Sequence, residues 1–322
     1  MNALAIVILN WNGKNWLEKF LPTVIQYSAE TTIYVIDNAS TDESISYLKT
    51  TFPLVKIIKN EKNLGFAEGY NKGLKQVSEP LYCLLNSDVE VTENWISPIL
   101  SIFEKNENIA AIQPKILDYN DRKCFEFAGA GGGFIDNLGF PYCRGRIFEK
   151  TEKDFGQYND EKEIFWASGC CFFIRAKDFW AENGFDERFF AHQEEIDLCW
   201  RLKNSGKKIF YTGKSTVFHV GGGTLNVQSP QKTYLNIRNN LSMLIKNLPL
   251  SSLLWIFPFR LILDAFAGIY FGIKNGFPHF VALLKAHFGV YRQFSGTWKR
   301  RGTHQIKNYY ETKWLVFKHF LS

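Results

Sequence analysis

Four short apolar runs, separated by segments with helical periodicity, constrain this chain more than any other feature. They are residues 3–9 (Ala-Leu-Ala-Ile-Val-Ile-Leu), 32–36 (Thr-Ile-Tyr-Val-Ile), 54–58 (Leu-Val-Lys-Ile-Ile) and 81–85 (Leu-Tyr-Cys-Leu-Leu). Each has the length of a strand, and near-continuous apolarity is the pattern of a strand covered on both faces. Helical patterns fill the intervals 16–28 and 65–76. A further helix follows Ser40 or Thr41 as N-cap, with Glu43 and Ser44 in its first turn. This alternation predicts βαβ units and an α/β, Rossmann-like fold with a mainly parallel sheet. In such sheets ligands bind beyond the carboxyl ends of the strands. Three of the four strand ends carry Asn or Asp: Asn10, Asp37, and Asn86 with Asp88. Turn chemistry alone favours the same residues, but their recurrence at one sheet edge favours a ligand site.

Beyond residue 110 the pattern loosens. Gly129 to Gly133 (Gly-Ala-Gly-Gly-Gly) lacks the spacing and preceding strand of a dinucleotide fingerprint, and no Lys-Ser/Thr follows for a P-loop. It reads as a flexible loop near an acceptor side. Residues 144–163 are polar and read as a mobile loop, 164–174 as a buried strand, and 208–211 as another. The acidic cluster Glu194-Glu195-Ile196-Asp197 opens a helix that runs to about Asn204.

The chain has 322 residues, 46% hydrophobic and 22% charged. That suits one large α/β domain with an appendage, or two modest domains, and excludes global disorder. A net charge of +6 fits a phosphate-bearing substrate or an anionic membrane surface, and is too small to argue for nucleic acid. None of the six cysteines forms a CxxC pair, so they read as small buried hydrophobes in a reducing compartment. The N-terminus reads as a first strand and not as a signal peptide, which implies a cytoplasmic location.

Four positions carry the chemistry. Asp88, just past a buried strand, can hold a divalent cation against a diphosphate, or serve as a turn residue. Asp37 can accept hydrogen bonds from a base or a ribose, or act as an N-cap. Glu194, Asp197 and Arg201 share one helix face while Glu195 points elsewhere. A carboxylate there can remove a proton from an acceptor hydroxyl, or it can be a solvated acidic first turn. His219, in Thr-Val-Phe-His-Val-Gly-Gly-Gly, can ligate a cation or be a satisfied core histidine.

Seven segments in order resemble family 2 inverting glycosyltransferases of the GT-A fold, closest to bacterial rhamnosyltransferase-like members. They are Val7-Ile8-Leu9-Asn10-Trp11-Asn12, Val35-Ile36-Asp37-Asn38-Ala39-Ser40-Thr41-Asp42, and Asn63-Leu64-Gly65-Phe66-Ala67-Glu68-Gly69-Tyr70-Asn71-Lys72-Gly73. Leu84-Leu85-Asn86-Ser87-Asp88-Val89, Gly184-Phe185-Asp186-Glu187-Arg188-Phe189-Phe190, Glu194-Glu195-Ile196-Asp197-Leu198-Cys199-Trp200-Arg201 and His219-Val220-Gly221-Gly222 follow. The resemblance covers roughly residues 3–240. It implies that Asn10, Trp11 and Asp37 hold the nucleoside, and that Asn63, Gly65, Phe66, Ala67 and Asn71 line the donor pocket. Asn86-Ser87-Asp88 stands at the family's DxD signature, with Asp88 as ligand to Mg²⁺ or Mn²⁺ and His219 as a further ligand. Glu195 takes the position of the base. Two positions depart from the pattern: Asn86 replaces the first Asp, and Glu195 stands where Asp is usual. A glutamate is one methylene longer, which displaces its carboxylate unless the loop compensates, so Glu194 is kept as a second candidate base. Trp166, Ser168 and Gly169 are expected on the acceptor side, where an indole face can stack on a sugar; ordinary strand packing is the alternative.

The implied reaction is metal-assisted, inverting transfer of a sugar from a UDP- or dTDP-sugar to a lipid-linked or polysaccharide acceptor. A sugar-phosphate nucleotidyltransferase would need a glycine-rich basic loop after the first strand, which Asn10-Trp11-Asn12-Gly13 does not supply. A non-catalytic nucleotide-sugar-binding scaffold is the other alternative.

The domain boundary is expected at 240, with residues 1–240 catalytic and 241–322 a C-terminal amphipathic helical region. Residues 250–273 have the length of a bilayer span, but Pro258, Arg260 and Asp264 fall inside. An aromatic-rich helix lying in the membrane interface fits better, with Lys246, Lys274, Lys285 and Arg292 as basic flanks and 277–294 as a second helix. Lys299-Arg300-Arg301 and the aromatic tail are expected to add headgroup contacts. The expected location is the inner face of the cell membrane. Packing against the catalytic domain, or against a second copy in a homodimer, is the alternative.

Overall fold

The computed structural model describes residues 3–147, 150–221 and 229–317. Gly222 and the end of the aromatic tail, both named above, lie outside the described residues. The first half alternates as the apolar runs predict: β1 (Leu4–Asn10), α1 (Lys14–Gln26), β2 (Thr32–Asp37), α2 (Ser44–Thr51), β3 (Lys56–Lys59), α3 (Gly65–Leu74) and β4 (Leu81–Asn86). Then come β5 (Val89–Val91), α4 (Ser97–Lys105), β6 (Ile109–Asp118), β7 (Gly133–Ile135), β8 (Pro141–Cys143), β9 (Arg146–Ile147), β10 (Lys150–Thr151), β11 (Glu161–Ile164) and β12 (Cys171–Arg175). The chain continues through α5 (Ala176–Ala181), a 3-10 turn (Glu187–Phe189), α6 (Glu194–Asn204), β13 (Lys208–His219), α7 (Pro230–Asn247), α8 (Leu250–Asn275) and α9 (Phe277–Trp298).

The main sheet runs β11-β13-β6-β12-β4-β1-β2-β3, with β5 also pairing with β13. Strands β3, β2, β1 and β4 are parallel, and β12 inserts antiparallel between β4 and β6. Side chains alternate along β1: Ala5 and Val7 enter the core on the face of α3 and α6, and Leu4, Ile6 and Ile8 enter the core on the face of α1 and α4. Burial on both faces is why β1 reads as an unbroken apolar run.

Several expectations are corrected here. The segment 164–174 is not one strand: β11 ends at Ile164 and β12 starts at Cys171, and the turn between them carries Gly169. The described residues of 144–163 are pinned rather than loose. Lys115 reaches Asp154 at 2.7 Å and also bonds Asn159, and Arg144 forks onto Asp160 at 2.8 and 2.9 Å. The glycine-rich stretch is buried, because its glycines make room for bulky neighbours. A Cβ on Gly133 would lie 2.2 Å from the Trp166 ring, and one on Gly129 would lie 2.6 Å from Ser168 Cβ. All six cysteines are free thiols, and five of them are buried.

Residue 240 falls inside α7, which runs unbroken from Pro230 to Asn247. Leu241, Leu244, Leu253 and Ile256 belong to the same core cluster as the sheet residues Ala5 and Val7. Lys246, expected as a basic flank, is buried and bonds Asp186 at 2.9 Å and Asp197 at 2.8 Å. Arg300 and Arg301 also turn inward, to Asp186 at 2.8 Å and to the Ile245 and Leu248 carbonyls. Tyr309 is buried, its hydroxyl donating to the Asn137 carbonyl at 2.8 Å. Lys246 and Tyr309 are thus held inside the protein, whereas Arg300, although paired with Asp186, keeps an exposed side chain.

Candidate active site

Sheet register assembles one end of the site. Leu9 of β1 pairs with Asn86 of β4, and Asn10 pairs with Asp37 of β2. Asp88 immediately precedes β5, whose Val89 pairs with His219 at the end of β13. Two sequence-distant residues thus meet: Asp88 Oδ1 lies 3.2 Å from His219 Nε2, both side chains buried. The Asn86 amide nitrogen lies 3.4 Å from the same Nε2. His219 Nδ1 faces Glu126 Oε1 at 3.3 Å. Burial opposes protonation of this imidazole, but Cys170, Glu126 and Asp88 outweigh it and raise its pKa well above the ordinary value.

Glu126 is absent from the sequence expectations. Its one signal was a charged residue between two phenylalanines, in Phe-Glu-Phe. Its position behind the imidazole is that of the carboxylates that orient metal-ligating histidines. Among the described residues no group of three His, Cys, Asp or Glu side chains is arranged to hold a metal. The Asp88–His219 pair would fit a cation that takes its other ligands from a diphosphate and water, as Mg²⁺ and Mn²⁺ commonly do, with the cation displacing the proton that these surroundings favour on the imidazole.

Next to this pair lies the Asn10–Asp37 edge. Asp37 Oδ1 accepts from the Asn10 amide at 3.4 Å and Oδ2 from the Ser40 backbone at 3.1 Å. Asn10 also donates to Ser40 Oγ at 3.1 Å, yet its own Oδ1 is buried with no partner among the described residues. A Cβ on Gly13 would sit 2.5 Å from that oxygen and 3.6 Å from Ser87 Oγ. Gly13 thus leaves open the space between Asn10 and Ser87. Trp11 is 43% exposed at the rim.

The segment 63–71 mostly serves another purpose. Asn63 Oδ1 accepts from Asn38 Nδ2 and from the Gly65 N–H, each at 2.9 Å. Gly65 has φ +73°, with Phe190 packed where a Cβ would be. The Phe66 and Ala67 N–H groups donate to the Phe190 carbonyl at 2.6 and 3.2 Å. Asn71 uses both ends of its amide on the Phe185 backbone, at 2.9 and 3.0 Å, and Ala67 is fully buried. Ala67 and Asn71 therefore do not line an open donor pocket; they fasten α3 to the loop before α6. The Phe66 ring lies near Gly169, as does the Glu195 carboxyl.

That loop, residues 189–193, is conformationally unusual. Phe190, His192 and Gln193 all have positive φ, a conformation that costs non-glycine residues energy and persists where surroundings enforce it. The enforcement comes from α7. Asn239 Nδ2 donates to the Phe189, Ala191 and His192 carbonyls at 3.0, 3.0 and 2.7 Å, and Arg238 Nη2 donates to the Arg188 and Phe189 carbonyls at 2.9 and 3.0 Å. The loop delivers Glu194 and Glu195 at the start of α6.

Glu195 is half-buried, and burial raises its carboxyl to about 7 against backbone hydrogen bonds from its own N–H, Gly169 and Ile196. Its Oε2 has no hydrogen-bond partner among the described residues. A Cβ on Gly169 would meet Phe66 Cζ at 3.4 Å and Glu195 Oε1 at 3.7 Å. One residue further on, the Cys170 carbonyl accepts from the Asn86 N–H at 2.9 Å. Glu195, Gly169, Cys170 and Asn86 thus form a continuous path to the Asp88–His219 pair. Glu194 is fully buried, and burial, with the Glu195 charge second, raises it well above the usual carboxylate range.

Of the three residues expected on the acceptor side, Gly169 is half-buried between Phe66 and Glu195. Ser168 is buried, its N–H bonded to Gln113 Oε1 at 2.8 Å. The Trp166 stacking expectation is corrected: the indole is buried, donates to the Phe134 carbonyl at 2.8 Å, and has its face covered by Gly133.

A parallel β3-β2-β1-β4 sheet with Asp37 at one strand end and Asp88 just beyond another, beside the glutamates that open α6, has the architecture of a GT-A glycosyltransferase. Solved structures agree in fold. A GalNAc-T7 structure with UDP, GalNAc and Mn²⁺ aligns with TM-score 0.59 and 18% identity, covering 77% of this chain and 48% of that one; the chain thus spans about half of that relative. A mannosyltransferase from Pyrobaculum calidifontis with GDP-mannose and Mn²⁺ aligns at TM-score 0.57 and 10% identity, covering 90% and 87%. The chain belongs to glycosyl transferase family 2, whose profile matches residues 5–181. Among curated relatives, N-acetylglucosaminyl-diphospho-decaprenol L-rhamnosyltransferase of Mycobacterium tuberculosis is 24% identical over 235 residues, 68% of this chain and 76% of the relative.

Proposed function

We propose that this glycosyltransferase moves a sugar, with inversion, from a UDP- or dTDP-sugar to a hydroxyl of a lipid-linked or polysaccharide acceptor. It does so at the inner face of the cell membrane with Mg²⁺ or Mn²⁺. The observation that carries this reading is Glu195: a carboxylate raised to about 7 with one oxygen unengaged, joined through Gly169 and Cys170 to Asn86. A base near neutrality removes a proton effectively.

Asn10, Trp11, Asp37 and Ser87 receive the nucleoside, with Asn10 Oδ1 as the free acceptor at the strand edge. Asn63, Gly65 and Phe66 shape the wall. When bound, a divalent cation held by Asp88 and His219 supplies positive charge against the leaving diphosphate. Glu195 takes the acceptor hydroxyl proton while that oxygen bonds to the anomeric carbon and the bond to the diphosphate oxygen breaks. One displacement inverts the centre. The lipid-diphosphate named for the mycobacterial relative supports a lipid-linked acceptor, and Mn²⁺ in the GalNAc-T7 and mannosyltransferase structures supports the cation. The catalytic domain runs to the end of α7 in this reading, beyond residue 240, because Asn239 and Arg238 hold the loop that carries the base.

The test has two parts. Nucleotide sugars are screened for Mn²⁺-dependent thermal stabilisation, since a ligand binding only the folded state raises the melting temperature. Transfer with the best donor is then compared for wild type, Glu195→Gln and Asp88→Ala. Both variants are expected to lose at least a hundredfold in rate, about the scale of a general base or a charge-stabilising group. Unchanged transfer in either would remove that residue from its role.

A further inference from the structure

Helix α8 keeps Arg260 and Asp264 on its protein side and an apolar stripe on its outer side. The buried stripe runs Leu253, Ile256, Arg260, Asp264, Gly268. Its charges are answered from within: Arg260 donates to the Leu138 carbonyl at 2.9 Å and to Asn240 Oδ1 at 2.7 Å, and Asp264 meets His287 of α9 at 3.2 Å. The opposite stripe, Leu254, Pro258, Ile262, Phe266, Ile269 and Ile273, recurs every three or four residues and is exposed throughout. Phe266 is 67% exposed and Ile273 83%. A soluble helix instead places polar residues on such an outer side. Exposed apolar patches beyond roughly a few hundred Å² mark interaction surfaces, and this stripe covers the full length of a 26-residue helix.

Helix α9 continues the pattern and adds charge. Leu284, Tyr291 and Trp298 are exposed at seven-residue spacing, and each is followed by an exposed cation: Lys285, Arg292 and Lys299. A seven-residue repeat keeps both rows on one side of a helix. No Asp or Glu occurs in α9, and Asp264, the one acid in α8, is buried. An apolar row beside a cationic row, with no exposed acid, complements an anionic lipid surface.

Among the described residues, α8 is the one helix long and apolar enough to cross a membrane. Its inner stripe argues against crossing: Leu253 and Ile256 sit in the domain core, and Arg260 is fixed to α7 and to the turn after β7. Crossing would strip these contacts and expose both charges to lipid.

We propose that the outer faces of α8 and α9 dock this enzyme on an anionic bilayer, lying in the interface without spanning it. The proposal deepens the reading of a membrane-borne acceptor, and its test uses no substrate. Full-length protein is sedimented with vesicles of phosphatidylcholine alone or with one-third phosphatidylglycerol, at low and high salt. Wild type is expected to pellet at least tenfold better with the anionic vesicles, and high salt is expected to erode that preference. Phe266→Asp with Ile273→Asp should abolish pelleting, and Lys285→Glu with Arg292→Glu should erase the anionic preference. Both positions of each variant are exposed, and an unchanged melting temperature confirms folding. Wild type staying in solution, or the aspartate variant pelleting like wild type, overturns the proposal. So does sedimentation velocity showing a stable dimer that the aspartate variant dissociates and that does not bind vesicles. If vesicle binding holds while no nucleotide sugar is turned over in detergent, the catalytic reading fails and the docking surface stands.

Discussion

The first turn of α6 carries two carboxylates whose surroundings push their pKa values in opposite directions. Asp197 is fully buried but surrounded by cations: Lys246 at 2.8 Å and Arg201 at 2.9 Å, with the Asn247 amide at 2.9 Å. Burial opposes its ionisation, and Lys246 and Arg201 outweigh burial and hold its carboxyl below the usual range. Asp186 shares this network, held low in the same way by Arg188 and Lys246. Glu195, two residues before Asp197, meets chiefly backbone N–H groups, and burial raises it to about 7. One helix therefore holds a structural anion and the carboxylate proposed as proton acceptor, their pKa values separated by which side chains α7 brings against them.

Exchanging each carboxylate for its amide should separate the two roles most sharply. Asp197→Asn leaves Lys246 and Arg201 facing a neutral group in the interior. Breaking a buried pair costs about 3–5 kcal/mol, to be read by urea unfolding, while transfer per folded molecule changes little. Glu195→Gln should reverse this, losing about 10²–10⁴-fold in transfer with donor-induced stabilisation intact. If Asp197→Asn removed activity from a fully folded protein, the division of labour would be wrong.

The sequence showed one side of this contrast and hid the other. The strand-end residues Asn10, Asp37, Asn86 and Asp88 were legible because apolar runs with polar ends are local patterns. The long helices were also legible, expected over 250–273 and 277–294 and found as Leu250–Asn275 and Phe277–Trp298. Strand β6 was not, because its polar residues are satisfied from afar: Gln113 donates to the Gly129 carbonyl at 2.9 Å and Lys115 pairs with Asp154 at 2.7 Å. Glu126, Asn239 and Lys246 were missed or misplaced for the same reason. A lone polar residue acquires its role from partners that only the fold supplies, and nothing in its neighbours' periodicity names them. Trp166 erred the other way, since the aromatic signal is the same for a stacking platform and for a ring capped by glycine.

The pH dependence should show the same division at intermediate size. Glu195 must be ionised to accept a proton, so kcat/KM is expected to rise through about pH 7 in wild type. Stability should run the other way. A carboxyl raised from 4.5 to about 7 on folding favours the protonated state. Its contribution is complete below pH 4.5 and is lost as pH rises through 7. Glu195→Gln should therefore melt above wild type at pH 8 by about 2–4 °C, with the gap closing toward pH 5. Asp197 acts oppositely: its contribution is present above the unfolded pKa near 3.8 and is lost as pH falls below it. A rate flat from pH 5 to 8 in wild type, with chemistry rate-limiting, would contradict a base with this ionisation.

Glu194 gives the smallest and most discriminating effect. It adjoins Glu195, the proposed base, in sequence and is the second candidate for that role, but it is fully buried, and burial, with the Glu195 charge second, raises its carboxyl well above the usual range. A neutral carboxyl closely resembles a glutamine in shape and charge. Glu194→Gln should therefore change transfer by less than about tenfold and leave the limb near pH 7 in place, since Glu195 still supplies it. A loss matching that of Glu195→Gln, with the limb abolished, would move the base to Glu194. It would also mean that substrate binding opens the start of α6, because the carboxyl can reach an acceptor hydroxyl only if its present cover is displaced.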